Sequence, residues 1–437
     1  MSQPARRLKL GAFFNYTGHH VASWRHPRSQ ADMGINFRHM VALAQKVERA
    51  RFDMMFLADQ VSMRDASLEA LSRSAQYVAN FEPITLISAL STVTRHLGLV
   101  ATASTSYSEP YNIARYYASV DHISGGRAAW NIVTTGDRNA AQNFGRDVHF
   151  GHAERYDRAR EFTRVVFGLW DSWEDDAFCR DKENGRFLDP EKLHTLDHHG
   201  QWFNVRGPLN IPRPVQGRPV IVQAGASEDG RAFAGEFAEA IFSNHLSLDQ
   251  AQKYYADIKS RAAGFGRNPA HVVVMPGLSP VVGRTEAEAK EKEDHLQSLV
   301  HPAVAMSILS TVLQGADLSG YDLDGPVPDI HVDENATHSG VENWMQIARR
   351  ENLTIRQLAQ RVTHGRGKSA VVGSAVQVAD HMERWFREGG ADGFNIMAPV
   401  IPGFLDDFCE LVIPILQERG LFRREYEGET LRDNLGL

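Results

Sequence analysis

Cysteine is scarce: Cys179 and Cys409 are the two in a chain of 437 residues. So sparse a pair builds no disulfide framework and suits a reducing cytoplasm. No window approaches the roughly 18 apolar residues of a membrane span. The opening Met-Ser-Gln-Pro-Ala-Arg-Arg leads into a short apolar run, so no signal peptide is expected. No sustained Lys/Arg stripe is present and the net charge is −7, which argues against a nucleic-acid surface. The first apolar run ends in Phe14-Asn-Tyr-Thr-Gly18 and lacks the Gly-rich turn of an open dinucleotide-binding sheet. The expectation is a cytoplasmic protein with neither membrane nor nucleic acid as partner.

Other motifs come close and fail. Gly225-Ala-Ser-Glu-Asp-Gly230 resembles a nucleophile elbow, but that turn needs Gly where Asp229 stands. Gly367-Lys368-Ser369 ends like a phosphate-binding loop, but Val362 occupies the place of its first Gly. His194 and His198, with His199 or Asp197, have the residue types of a metal site. Their segment is polar and no HExxH pattern is present, so no metal is expected.

What the chain does have is material for a large core: 43% hydrophobic residues, against 23% charged. Leu97 to Thr105 is a short apolar and β-branched run. Glu109-Pro110 opens a helical stretch, Tyr111 to Ile123, which Gly125-Gly126 closes. Ala128 to Thr135 is a second buried strand. Strand, crossover helix and strand make a right-handed parallel unit. The same alternation runs along the chain. Further strands are expected at Leu8–Asn15, Phe52–Asp59, Pro219–Gly225, Ala240–Asn244, Val272–Met275 and Gly393–Pro399. Helices are expected at Arg38–Arg51, Pro83–His96, Glu154–Trp173, from Ser227, at Ser247–Gly264 and at Phe404–Arg419. Roughly eight strands alternating with helices is the pattern of a TIM (β/α)8 barrel. One domain spanning 1–437 is expected, with insertions at about 174–217 and 283–373 that roof the C-terminal face of the strands. Residues 426–437 read as a polar tail, a possible contact between subunits.

Polar residues gather where such a barrel binds its ligand. Asp59 ends an apolar strand; the plainer reading is a cap on the next loop. Thr102 and Ser104 share a side by period two; buried hydroxyls bonded to backbone would look the same. Asn131 follows Trp130 in a buried strand and needs partners, because an unpaired buried amide costs about 1–3 kcal/mol. His152 and Tyr156 are four apart at a helix start and so lie on one face; they could contact a phosphate, or simply cover the helix. Ala224 to Gly230 follows a strand and opens a helix. Its free N–H groups form an anion site, with Gly225 and Ala226 permitting close approach and Ser227 adding a hydroxyl. Ser227 is equally an ordinary helix cap.

Three segments together carry a family resemblance: Ser104-Thr-Ser-Tyr-Ser-Glu-Pro-Tyr111, Asp121-His-Ile-Ser-Gly-Gly-Arg127 and Trp130-Asn-Ile-Val-Thr-Thr135. The chain resembles, from Leu8 to about Gly436, the flavin-dependent monooxygenases related to bacterial luciferase. The nearest branch is the nitrilotriacetate monooxygenase group, which includes flavin-dependent enzymes for EDTA, dibenzothiophene sulfone and long-chain alkanes. The resemblance implies FMN, taken as FMNH2 from a separate flavin reductase, and reaction with O2 through a flavin C4a-peroxide. It implies a small organic substrate, with C–S or C–N cleavage among the options, and a homodimer or homotetramer. It places Asp59, Thr102, Asn131, His152, Tyr156, Ala226 and Ser227 against the flavin. The residue that steers the peroxide is not legible; His19, His20 and His245 follow barrel strands and are the candidates. Trp24 and His26 are expected at the mouth. Arg206, Arg213, Arg361 and Arg366 in the insertions leave an anionic substrate open. Two rivals share the fold: an F420- or flavin-dependent hydride-transfer enzyme, and a non-catalytic flavin-binding barrel.

Overall fold

The computed structural model describes residues 6–63, 66–313, 315–318, 320–329, 338–363 and 369–437. Strands β1 (Lys9–Phe14), β2 (Met54–Leu57), β3 (Gly98–Ser104), β4 (Ala128–Val133), β5 (Val220–Gln223), β6 (Ala240–Ser243), β7 (Val273–Gly283) and β8 (Gly393–Ile396) are all parallel. Each pairs with the next, and β8 returns to β1 through the register Lys9–Gly393 to Ala12–Ile396. This closed ring is the barrel expected from the alternating pattern.

Alternation along the strands divides the apolar residues between two layers. Met54, Phe56, Val100, Ala129, Val222 and Met275 fill the barrel interior. Leu10, Ala12, Leu57, Leu99, Trp130 and Ile221 point outward and meet the helices. The helix Phe37–Arg49 illustrates the fit. Asn36 caps it by accepting from the His39 N–H, and Met40, Leu43, Ala44 and Val47 form its buried stripe. The crossover helix Pro110–Ser124 starts with proline at its first position and stops at Gly125, whose φ of 70° suits a residue without Cβ.

Four features differ from the sequence reading. First, β7 continues past Met275 to Gly283, through Pro276 and Pro280, which look like strand breakers in a sequence. Second, an additional strand, Ser369–Ser374, lies inside the second insertion and pairs with Leu278–Gly283. Third, the tail is not simply polar. Leu431 and Leu435, four residues apart on the short helix Leu431–Leu435, are buried and join the barrel-interior cluster. Leu431 sits against Gly98 at the start of β3, where a Cβ would lie 2.4 Å from its Cδ1. The tail therefore plugs the barrel floor. Just ahead of it, Arg423 reaches the fully buried Asp53, which also accepts the Leu10 N–H at 2.7 Å.

The fourth difference concerns the insertions. The stretch 174–217 runs along the outer side of the helix His152–Trp170, where one carboxylate, Glu161, pins it. Glu161 accepts the N–H groups of Gln201, Trp202 and Phe203 and faces the His198 ring at 3.1 Å. The second insertion holds the helices Glu286–Ser298, Pro302–Val312, His338–Arg350 and Ile355–Thr363. It has an apolar cluster of its own, built on Leu309, Leu313, Val341, Ile355, Leu358 and Val362. It meets the segment after β1, where His20 Nε2 lies 3.2 Å from Gln297 Oε1.

Candidate active site

A cavity of about 540 Å³ opens at the carboxyl ends of β2, β3, β4 and β5. That volume is in the range of small-molecule sites, and the carboxyl end is where parallel barrels place them. Asp59, Thr102, His152 and Tyr156 line it, together with Glu82, Arg155 and Gln223. Positions as far apart in the chain as Asp59 and Gln223 thus share one wall, because closure of the barrel brings their strand ends together.

Strand register sets the innermost pair. Thr102 of β3 lies opposite Asn131 of β4. The Thr102 hydroxyl donates to the Leu57 carbonyl at 2.7 Å and accepts from Asn131 Nδ2 at 2.8 Å. Both residues are buried, and Asn131 Oδ1 has no partner. Asn131 stands behind Thr102 and does not itself line the cavity. Gln223, at the end of β5, is buried with an equally unpartnered Oε1. Two buried amide oxygens without donors are costly unless a ligand supplies them.

Asp59 follows β2 and carries the largest electrostatic perturbation of the wall. Loss of solvent raises its carboxyl to about 7; the Gln60 N–H opposes this and the Glu82 carboxylate adds to it. Glu82 is fixed by its own task, capping the helix Pro83–Ser91 with both oxygens on the Ile84 and Thr85 N–H groups.

At the opposite side the wall is basic. His152 is the first residue of its helix, and its ring packs on Tyr156 with centroids 5.1 Å apart. His152 Nε2 faces Asp229 at 3.3 Å, which links this helix to the turn after β5. In that turn the Ser227 Oγ accepts the Gly230 N–H at 3.1 Å, so Ser227 does cap the helix Glu228–Phe237. A side chain at Gly230 would meet Tyr156 Oη at 3.0 Å, so glycine lets the turn approach the ring. Ala226 and Ser227 lie exposed at the rim and not in the cavity wall.

The remaining expectations fall elsewhere. His19 is buried and turns Nε2 to the Phe13 carbonyl at 2.8 Å. His245 is held low by burial and packs on Tyr254. Neither these two nor His20 lines the cavity. Trp24 donates to the Arg73 carbonyl and His26 packs on Phe404; they too lie away from the wall. No described residue of 174–217 or 283–373 lines it either; the second insertion lies at the same end of the barrel, against the segment after β1. Arg213 faces Asp171 and Asp175, Arg361 faces Glu351, and Arg366 lies outside the described residues. His194, His198 and His199 face three different carboxylates, Glu174, Glu161 and Asp197.

Sequence reasoning missed Glu82, Arg155 and Gln223. Signals existed for two of them. Gln223 ends an apolar strand just as Asp59 does. Arg155 puts a cation in the first turn of a helix, against the helix dipole, which asks for a reason.

The fold and this cleft define a barrel enzyme that holds a small molecule at the C-terminal face of its strands. The sequence model for the luciferase-like monooxygenases matches residues 16–393, and the chain belongs to that family. It is 48% identical to N-acetyl-S-(2-succino)cysteine monooxygenase of Bacillus subtilis (strain 168), over 100% of this chain and 98% of that one. It is 45% identical to nitrilotriacetate monooxygenase component A of Aminobacter aminovorans, over 99% and 97% of the two chains. The crystal structure of a riboflavin lyase with modified FMN and riboflavin superposes with a TM-score of 0.86 at 33% identity, covering 99% of this chain and 96% of that one. The chain is a monooxygenase.

Proposed function

We propose that this monooxygenase is FMNH2-dependent, receives its reduced flavin from a separate reductase, and uses O2 to oxidise a small organic substrate, breaking a C–S or C–N bond. The observation that carries the flavin assignment is the wall itself. The unpartnered buried amide oxygen of Gln223 in the wall, with that of Asn131 directly behind Thr102, supports a ligand rich in N–H and O–H donors, as a flavin ring and its ribityl chain are. The free N–H groups at the start of the helix Glu228–Phe237, beside His152 and Tyr156, suit a terminal phosphate. The component A relative supports a division of labour between two proteins. The names of the two relatives, a substituted cysteine and nitrilotriacetate, support the substrate class.

Reduced flavin, when bound, supplies the electrons and the reaction with O2. The protein's share is to bind, orient and keep water out. Thr102 has its hydrogen committed to Leu57, so it fixes the Asn131 amide and presents only a lone pair. Asp59, raised to about 7, holds a proton below neutrality and releases it just above. Tyr156, buried against Phe233, closes the far end to solvent.

The test is an oxygen electrode and a panel of organosulfur compounds, aminocarboxylates and alkanes. NADH with the isolated chain should give no uptake above background. Adding FMN and an unrelated flavin reductase should start uptake that one compound class accelerates. Rapid NADH oxidation by the isolated chain would contradict the two-component reading. Anaerobic hydride transfer from reduced F420 would replace oxygenation altogether.

A further inference from the structure

At the β4 wall of the cavity, four side chains, Ser104, Ser106, His149 and Arg155, converge on one backbone turn. Thr135 has a φ of 48°, in the left-handed region that β-branched residues avoid. Its turn, Thr134 to Asp137, lines the cavity. The Thr135 carbonyl accepts Arg155 Nη1 at 2.7 Å and lies 3.0 Å from His149 Nε2. Its hydroxyl meets Ser104 Oγ at 2.5 Å, and Ser106 Oγ donates to the Thr134 carbonyl at 2.8 Å. The other nitrogen of His149, Nδ1, is 2.5 Å from Tyr107 Oη, and the Tyr107 ring stacks on Phe144 at 4.7 Å.

These contacts fix the histidine tautomer. A carbonyl only accepts, so Nε2 carries the hydrogen; in the neutral ring Nδ1 then accepts from the Tyr107 hydroxyl. No other placement of one proton satisfies both neighbours. The chain thus spends an oriented imidazole, and the guanidinium of Arg155, on a carbonyl of a strained residue. Strain of this kind persists only where the surroundings over-determine it.

We propose that His149 is a positioning residue for the active site: together with Arg155 it holds the Thr135 turn in its left-handed conformation and so sets the β4 wall of the cavity. The inference rests on the flavin reading of that cavity. It assigns His149 no contact with flavin or substrate.

The experiment uses the full chain and FMN as the probe, read by flavin fluorescence and by visible circular dichroism of the bound ring. Wild type, His149→Ala, His149→Gln, Thr135→Gly and the His149→Ala/Thr135→Gly double variant are compared, with thermal unfolding of each. His149→Ala should weaken FMN at least fivefold and alter the visible band. His149→Gln, which keeps an N–H donor toward the carbonyl, should return affinity to within about twofold of wild type. In the Thr135→Gly background, where the left-handed conformation carries no strain, removing His149 should cost less than twofold, a non-additivity that a merely structural residue would not produce. Wild-type affinity and an unchanged band in folded His149→Ala would overturn the proposal. So would an equal loss in both backgrounds. If His149→Ala fails to fold, the His149→Gln and Thr135→Gly variants carry the test: a fivefold loss in His149→Gln overturns it. Wild type that leaves FMN unbound would instead overturn the flavin reading, and this proposal with it.

Discussion

Asp59 shows how one side chain can be read from position and still be changed by its surroundings. Its place after an apolar strand is visible in the sequence; its proton affinity is not, because that depends on Glu82 arriving from the next helix and on burial by the wall. The consequence for stability has a definite sign. Folding raises the carboxyl to about 7 from an ordinary value near 4. The native state therefore binds a proton that the unfolded chain releases, and stability falls as pH rises from about 4 through 7. Asp59→Asn has no such charge to bury. Its melting temperature should exceed that of wild type at pH 8, and the difference should vanish as pH falls toward 4. A constant difference across that range would mean that the carboxyl is not desolvated in the folded protein. The polar partners that were not legible, Tyr107 and His149, are 42 residues apart and meet only through the fold.

At the scale of elements, the strands and crossover helices were legible wherever apolar residues kept a period. The buried stripe of Phe37–Arg49 falls on the residues its spacing selects. Legibility failed where local chemistry misleads. Pro276 and Pro280 argue for a break, yet β7 carries them because a buried parallel strand can lose single N–H groups where its partner strand ends or bends. The strand Ser369–Ser374 is too small and polar to stand out from the insertion around it. The course of 174–217 could not be read because Glu161, its anchor, looks like any helix-surface glutamate. Its carboxyl is held low, against some loss of solvent, by the His198 ring and by the Phe203 and Trp202 N–H groups. The anchor thus works above the ordinary carboxylate range and is lost as pH falls through the lowered value. Glu161→Gln should speed hydrogen exchange at the Gln201, Trp202 and Phe203 amides by at least about tenfold, roughly 1.4 kcal/mol of local stability. FMN affinity should hold, since that stretch does not line the cavity. Unchanged exchange would mean that packing of Trp202 and Phe203, and not the carboxylate, holds the segment down.

For the whole molecule, closure is what makes a site. Asp59, Thr102, Tyr156 and Gln223 belong to four different strand–helix units, and no local pattern joins them; the ring of strands does. The floor of the ring is filled by Leu431 and Leu435, beside the buried Asp53–Arg423 pair, and the cavity opens at the carboxyl ends. The barrel and the family were legible, because eight apolar runs and three specific motifs are long-range redundant signals. The course of the first insertion was not, because it depends on the anchor Glu161, which no periodicity marks. The central claim is that the cleft at the ends of β2 to β5 holds a flavin. A crystal structure of the protein soaked with FMN tests it most directly. The account predicts the ring beside Thr102 and Gln223, and the phosphate within hydrogen-bonding distance of Ser227 and the N–H groups that follow it. FMN bound elsewhere on the barrel, or a cleft without flavin at saturating FMN, would contradict it.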